Sequence, residues 1–333
     1  MQNISKTILI NILILFGFFF ILEIGARFYA SFFVEGKSFF RESTFVSPWI
    51  TSNDFPPPKI DENGKYYFRH KTKPTPKQKP ENTFRIITVG GSTTANERAF
   101  YSDEADYAIE LEKLLSQNSK GKNIEVLNAG ADAYSTAQSL INIQFRLLEF
   151  EPDLIILMHN VNDRSVNYFG KVVEGDYSNK YLEEVFLNPE LQVGYSFYGF
   201  IFQSRLLAKF GLPELLASKG SINYDNNIED GIRIFKRNLT SISQICKQNG
   251  VELILLSQPN SFSKFYFEGE KEQIILYDQI IKEVAEANEV IFVDMFSEMG
   301  QDKELFVDPV HYSLKGIQKF AKILSEEISA NLE

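Results

Sequence analysis

The apolar residues of this chain fall into two patterns. From Thr7 to Leu22 every residue but Asn11 and Gly17 is apolar or threonine, and a mostly apolar character resumes from Ile24 to Val34. A helix over this stretch would be roughly 40 Å long at about 1.5 Å per residue, enough to cross a bilayer. Further along, short Val/Ile/Leu runs recur: FRIITVGG (84–91), NIEVLNAG (123–130), PDLIILMHN (152–160), VELILLSQP (251–259) and VIFVDMF (290–296). Each is too short for a core helix and suits a strand buried on both faces of a parallel sheet.

Helical spacing fills the gaps between those runs. Ala105–Ser116 carries Ile109, Leu111, Leu114 and Leu115, and Thr136–Phe150 carries Leu140, Ile143, Leu147 and Leu148. Ile232–Gln248 stops at Gly250, and Ile274–Ala287 places Ile274, Tyr277, Ile281 and Val284 on one face. Ser313 is a candidate cap for a last helix with Ile317, Phe320, Leu324 and Ile328. Five strands with crossover helices predict a three-layer α/β/α sandwich around a five-stranded, doubly wound parallel sheet.

Two stretches break this rhythm. Residues 35–83 hold Pro48, Pro56, Pro57, Pro58, Pro74, Pro76 and Pro80 and end in Lys71, Lys73, Lys77 and Lys79. They read as an extended, solvated stalk between an N-terminal anchor (1–34) and a catalytic domain (84–330). Residues 164–230 show no strand–helix unit and are rich in aromatics such as Tyr168, Phe169, Tyr195, Phe197, Tyr198 and Phe200. This insertion follows a strand end, where a lid or substrate wall would sit; a self-contained appendage is the other reading.

Composition removes several function classes. With 333 residues the chain has room for one large domain or two small ones, and its net charge of −10 argues against nucleic acid as a partner. Cys246 is the only cysteine, so neither an internal disulfide nor a Cys-based metal site is expected. Its helical setting marks it as a small buried apolar residue. Three scattered histidines do not make a metal site, and no cofactor is called for.

Around the apolar N-terminal run, Glu23 and Arg27 are four apart and would share a helix face as an ion pair. An uncleaved anchor is expected rather than a signal peptide cut after Ala26, because the apolar run continues past that point. Lys6 precedes the span while Arg27, Lys37 and Arg41 follow it, so flanking charge does not orient it. A single-pass membrane protein with an extracytoplasmic domain is the working expectation.

Chemistry concentrates at the carboxyl ends of the predicted strands, where open parallel sheets bind ligands. The first ends in Gly90-Gly91-Ser92-Thr93-Thr94, the second in Asn128-Ala129-Gly130-Ala131-Asp132-Ala133-Tyr134, and the third in His159-Asn160-Val161-Asn162-Asp163. The loop after the fifth leads to Asp308 and His311. Acyl transfer needs a nucleophile, a base, an orienter and oxyanion donors, and these ends supply a hydroxyl, an Asp–His pair and amides. His159 reads as a satisfied strand-end histidine and Asp163 as a loop brace.

These motifs resemble, in order, the blocks of the SGNH, or GDSL-like, hydrolase family over roughly residues 84–330. VGGST is similar to the first block, NAGADAY to the second, NVND to the third and DPVH to the last. The resemblance implies Ser92 as nucleophile, His311 as base and Asp308 as its orienter. It implies an oxyanion hole from the Ser92 and Ala133 backbone N–H groups and the Asn162 side chain, with Gly130 as the alternative to Ala133. Two positions depart from the family pattern: Ala133 and Asn160 stand where glycines are usual.

The implied activity is hydrolysis of an O-acyl ester on a small molecule, glycan or lipid. The same triad also fits an O-acyltransferase, which differs only in what attacks the acyl-enzyme. A non-catalytic binding module on this fold is a third reading.

Overall fold

The computed structural model describes residues 2–33, 58–69, 71, 73–96, 106–117, 119, 121–168, 173–177, 204, 228–264 and 268–331. The chain forms two compact units, one of residues 1–46 with 181–221 and one of 47–180 with 222–333.

In the first unit, α1 (Gln2–Phe33) is one continuous helix. Lys6–Phe33 is long and apolar enough to cross a membrane. Glu23 and Arg27 pair at 2.8 Å, as their four-residue spacing predicts, and Glu23 also accepts a hydrogen bond from the Ser204 hydroxyl at 2.7 Å.

The second unit is built on a parallel sheet. Its strands are β3 (Thr83–Gly90), β4 (Asn123–Asn128), β5 (Leu154–Met158), β6 (Glu252–Leu256) and β7 (Ile291–Val293), in the order β4-β3-β5-β6-β7. Strand period two sends alternate residues to opposite layers. Ile87, Val89, Ile155, Leu157, Leu253 and Leu255 face one core with helices α4 (Thr136–Asn142), α6 (Ile228–Gln248) and α7 (Glu270–Asn288). Ile86, Leu154, Ile156, Ile254 and Leu256 face the other, with α3 (Tyr107–Gln117) and α9 (Leu314–Asn331). Short helices α2 (Ser92–Ala95), α5 (Val161–Ser165) and α8 (Met295–Met299) start at or near strand ends. The sheet therefore has the expected doubly wound architecture, and the chain reverses strand order across β3, opening a crevice at the strands' carboxyl ends.

Some elements differ from the pattern's prediction. The helix expected over 136–150 is α-helical only to Asn142, then passes through a π turn (Ile143–Leu147) and a 3-10 turn (Leu148–Phe150). Ile143, Leu147 and Phe150 are all buried in one core. Ser313 caps α9 as expected, accepting the Gly316 N–H at 3.2 Å. Cys246 is buried, and burial pushes its thiol up to about 12.

The solvated-stalk expectation needs correction for residues 58–83. This segment forms a small hairpin of β1 (Lys59–Ile60) and β2 (Tyr66–Tyr67), and Phe68 enters the core edge-on to Phe150 at 5.1 Å. The buried Arg85 guanidinium donates to the Pro76 and Lys77 carbonyls at 3.1 Å each, and Lys71 and Lys79 pair with Glu112 and Asp153. Proline content made the segment extended, but Tyr66 and Phe68 supply enough apolar surface to dock it. His70, residues 34–57 and most of the 164–230 insertion lie outside the described residues.

Candidate active site

Ser92, Ala133 and Asn162 follow the carboxyl ends of β3, β4 and β5. Ser92 is the first residue of α2, immediately after β3, so its amide is among the N–H groups a helix leaves without an intrahelical partner. The two glycines before it are required by close approach. A Cβ at Gly90 would lie 2.7 Å from the Met158 carbonyl oxygen, and one at Gly91 would lie 2.5 Å from Asn162 Nδ2. Gly91 thus lets the third motif's amide lie against the first motif's turn.

Asp308 and His311 come together in the loop between β7 and α9. Asp308 Oδ1 accepts the Val310 and His311 backbone N–H groups at 2.9 and 2.8 Å, which folds the loop back on itself. Its Oδ2 then meets His311 Nδ1 at 2.6 Å. Burial opposes ionisation of Asp308, but the two backbone donors and the imidazole outweigh it and hold the carboxyl below its usual value. With Nδ1–H donating to Asp308, Nε2 is left as acceptor for the Ser92 hydroxyl, 2.9 Å away. Next to His311, Tyr312 is fully buried and packs between Phe306 and Phe320, fixing the loop to the core.

The candidate oxyanion donors follow the β4 and β5 ends. Asn162 Nδ2 donates to the Tyr134 carbonyl at 2.8 Å. The neighbouring Asp163 carboxylate accepts the Thr136 N–H at 3.0 and 3.1 Å and the Thr136 hydroxyl, so the two loops are braced together. Ala133 has φ +60°, in a turn closed by the Tyr134 N–H to the Ala131 carbonyl. That backbone explains why glycine is usual here, and Ala133 keeps the conformation despite its Cβ. The alternative, Gly130, is otherwise engaged: its N–H donates to Asn128 Oδ1 at 2.9 Å, and a Cβ there would lie 2.4 Å from the Ala95 amide.

Alanine in the left-handed region costs about 1–2 kcal/mol. Glycine would relieve this, but its greater freedom in the unfolded chain offsets about 0.4–1 kcal/mol. Ala133→Gly is therefore expected to match or slightly exceed the wild type in thermal stability. Ala133→Val, β-branched at positive φ, is expected to be destabilised by about 2 kcal/mol or more. Thermal unfolding of the two variants checks this.

His159 is buried and apart from the Ser92 group. Its Nε2 shares a hydrogen bond with Ser139 Oγ at 2.7 Å. The Asp163 carboxylate, 3.7 Å from Nδ1, is beyond hydrogen-bond reach. Burial pushes His159 down to about 3 from 6.5, so it stays neutral in the folded state and protonates only on unfolding. Stability from this residue is complete above pH 6.5 and falls as pH drops towards 3, by about 1.4 kcal/mol per pH unit. His159→Gln is expected to flatten that slope in denaturant unfolding measured between pH 7 and pH 4. Among the described residues, no group of three or more His, Cys, Asp or Glu is placed to hold a metal ion.

A model of the GDSL-like lipase/acylhydrolase family matches residues 88–319. The chain belongs to that family. It is therefore a hydrolase of ester bonds. The match begins inside β3 and ends inside α9, so all four motifs fall within it. No curated protein matches the hydrolase. Solved structures similar to it include a protein described as a GDSL-like lipase from Parabacteroides merdae, with 15% identity, TM-score 0.48 and coverage of 74% of this chain and 95% of that one. An acetylxylan esterase from Geobacillus stearothermophilus has 16% identity, TM-score 0.47 and coverage of 74% and 94%. A lipase/acylhydrolase from Enterococcus faecalis has 17% identity, TM-score 0.45 and coverage of 74% and 96%.

Proposed function

We propose that this hydrolase cleaves an O-acyl ester through a Ser92–His311–Asp308 triad and an acyl-enzyme. The observation that supports this is the unbroken hydrogen-bonded series from Asp308 through His311 to Ser92 Oγ. In this reading His311 takes the Ser92 proton as Ser92 Oγ attacks the ester carbonyl. Asp308 holds the imidazole in the Nδ1–H tautomer and stabilises its charged form. The Ser92 and Ala133 N–H groups and Asn162 Nδ2 stabilise the tetrahedral oxyanion. Collapse breaks the ester C–O bond, and His311 returns the proton to the departing alcohol. Water, deprotonated by His311, then attacks the acyl-enzyme; the acyl–Oγ bond breaks, His311 returns that proton to Ser92 Oγ, and the acid leaves.

The substrate in this proposal is an acylated glycan or lipid. The apolar helix Lys6–Phe33 anchors the chain as a single pass, with the catalytic domain on the extracytoplasmic side. The aromatic insertion near 164–230 supplies the specificity. A chromogenic acetyl ester tests hydrolysis against acyl transfer. Release of the alcohol is expected to be matched mole for mole by free acetate, unchanged by added sugar acceptors. Diversion of the acetyl group onto those sugars would establish an O-acyltransferase instead.

A further inference from the structure

The fourth strand of the sheet to end on the active edge, β6, contributes none of the residues assigned to the chemistry. Yet the loop that follows it touches three of the segments that do. Gln258 is buried, and its Oε1 accepts the Val161 N–H at 3.0 Å, one residue before the oxyanion amide of Asn162. Its Nε2 faces Thr93 Oγ1 at 3.4 Å, one residue after the nucleophile. Three residues on, the Ser261 N–H donates to the Pro309 carbonyl at 2.9 Å, between Asp308 and His311. One short loop thus bears on the nucleophile turn, the amide-donor turn and the base loop.

Gln258 is itself held from below. Its N–H donates to Asp278 Oδ1 on α7 at 3.0 Å. The same oxygen accepts Asn160 Nδ2 at 2.9 Å, and Asn160 also donates to the Ile274 carbonyl at 2.9 Å. Asn160 therefore does not disturb the third motif by replacing the usual glycine. Its amide reaches away from the crevice and ties the start of α5 to α7. Burial pushes the Asp278 carboxyl up to about 7, against the hydrogen bonds from the Gln258 N–H and the Asn160 amide. Asp278 Oδ2 has no partner among the described residues, so a neutral isostere is compatible with the site.

We propose that Gln258, supported by Asp278 and Asn160, is a positioning residue that sets the Asn162 amide in register with Ser92. The proposal rests on the triad and oxyanion reading above. It acts through geometry alone, since Gln258 reaches only residues adjacent to the reacting groups. Losing its acceptor strands the Val161 N–H and lets α5 shift, which removes stabilisation present only in the transition state.

The test uses the full chain in detergent with a chromogenic acetyl ester. Gln258→Leu is expected to lower kcat about 30-fold or more with KM within about threefold. Asp278→Leu, which removes the acceptor for both amides, is expected to lower kcat about tenfold or more. Asp278→Asn keeps an oxygen for both amides and is expected to recover most of that loss. A folded Gln258→Leu with wild-type kcat, or one altered only in KM, overturns the proposal. If Gln258→Leu does not fold, equal kcat in Asp278→Leu and Asp278→Asn overturns it. Ser92→Ala run alongside separates the two ideas. An active Ser92→Ala sinks the reading of the site itself, whereas an inactive one beside a fully active Gln258→Leu sinks only the positioning role.

Discussion

Ser92→Ala is expected to lower kcat for ester hydrolysis by about 10⁴-fold or more, with the fold intact. Ser92 Oγ lies 2.9 Å from His311 Nε2, and among the described residues no other hydroxyl is recorded on that nitrogen. Ser92 is only partly buried, so unfolding is expected to stay within about 0.5 kcal/mol of the wild type. Members of a triad act as a unit, so the double variant Ser92→Ala/His311→Ala is expected to be no slower than Ser92→Ala alone. Hydrolysis of a chromogenic acetyl ester, read with thermal unfolding on the same samples, checks all three statements. A residual rate above about one per cent in Ser92→Ala would remove the nucleophile from the account.

Asn162→Ala is expected to lower kcat by about 10²–10³, about 2.7–4 kcal/mol, while KM changes little. The Asn162 side chain donates to Tyr134 at 2.8 Å and lies against the Gly91 turn, where it can meet an oxyanion held on Ser92. Part of the loss in the alanine variant would come from freeing the Tyr134 carbonyl. Asn162→Asp distinguishes the effects. It keeps size and shape but replaces two donors with acceptors, so its kcat is expected to fall at least as far as that of the alanine variant. A kcat near wild type in either variant would place the oxyanion elsewhere.

Much of this was legible in the sequence for particular physical reasons. The five strands announced themselves because strands buried on both faces must be apolar throughout, and Gly90, Gly130 and His159 mark where those runs stop. Asp308 and His311 were legible because three residues of spacing let one carboxylate meet both a backbone amide and the imidazole of the same loop. Glu23 and Arg27 followed from helical spacing alone.

Other features needed the third dimension. Lysines and prolines made residues 58–83 read as solvated, and only packing against Phe150 revealed Phe68 as core. The left-handed backbone at Ala133 was hidden, because alanine signals no special conformation where glycine would have done so. Gln258 was invisible for a different reason. Its function depends on Val161, Thr93 and Asp278, residues 97, 165 and 20 positions away, and no local pattern encodes such a juxtaposition. The run VELILLSQP marked a strand, and nothing in its end pointed to the site.

The central claim is that Ser92 is an activated nucleophile, and a fluorophosphonate probe measures that directly. Such a probe reacts covalently only with a serine whose base and oxyanion donors are in place. The account predicts stoichiometric labelling of the folded chain, with the modified peptide containing Ser92, and no labelling of Ser92→Ala. Equal labelling of wild type and Ser92→Ala, or none of the folded wild type, would contradict it.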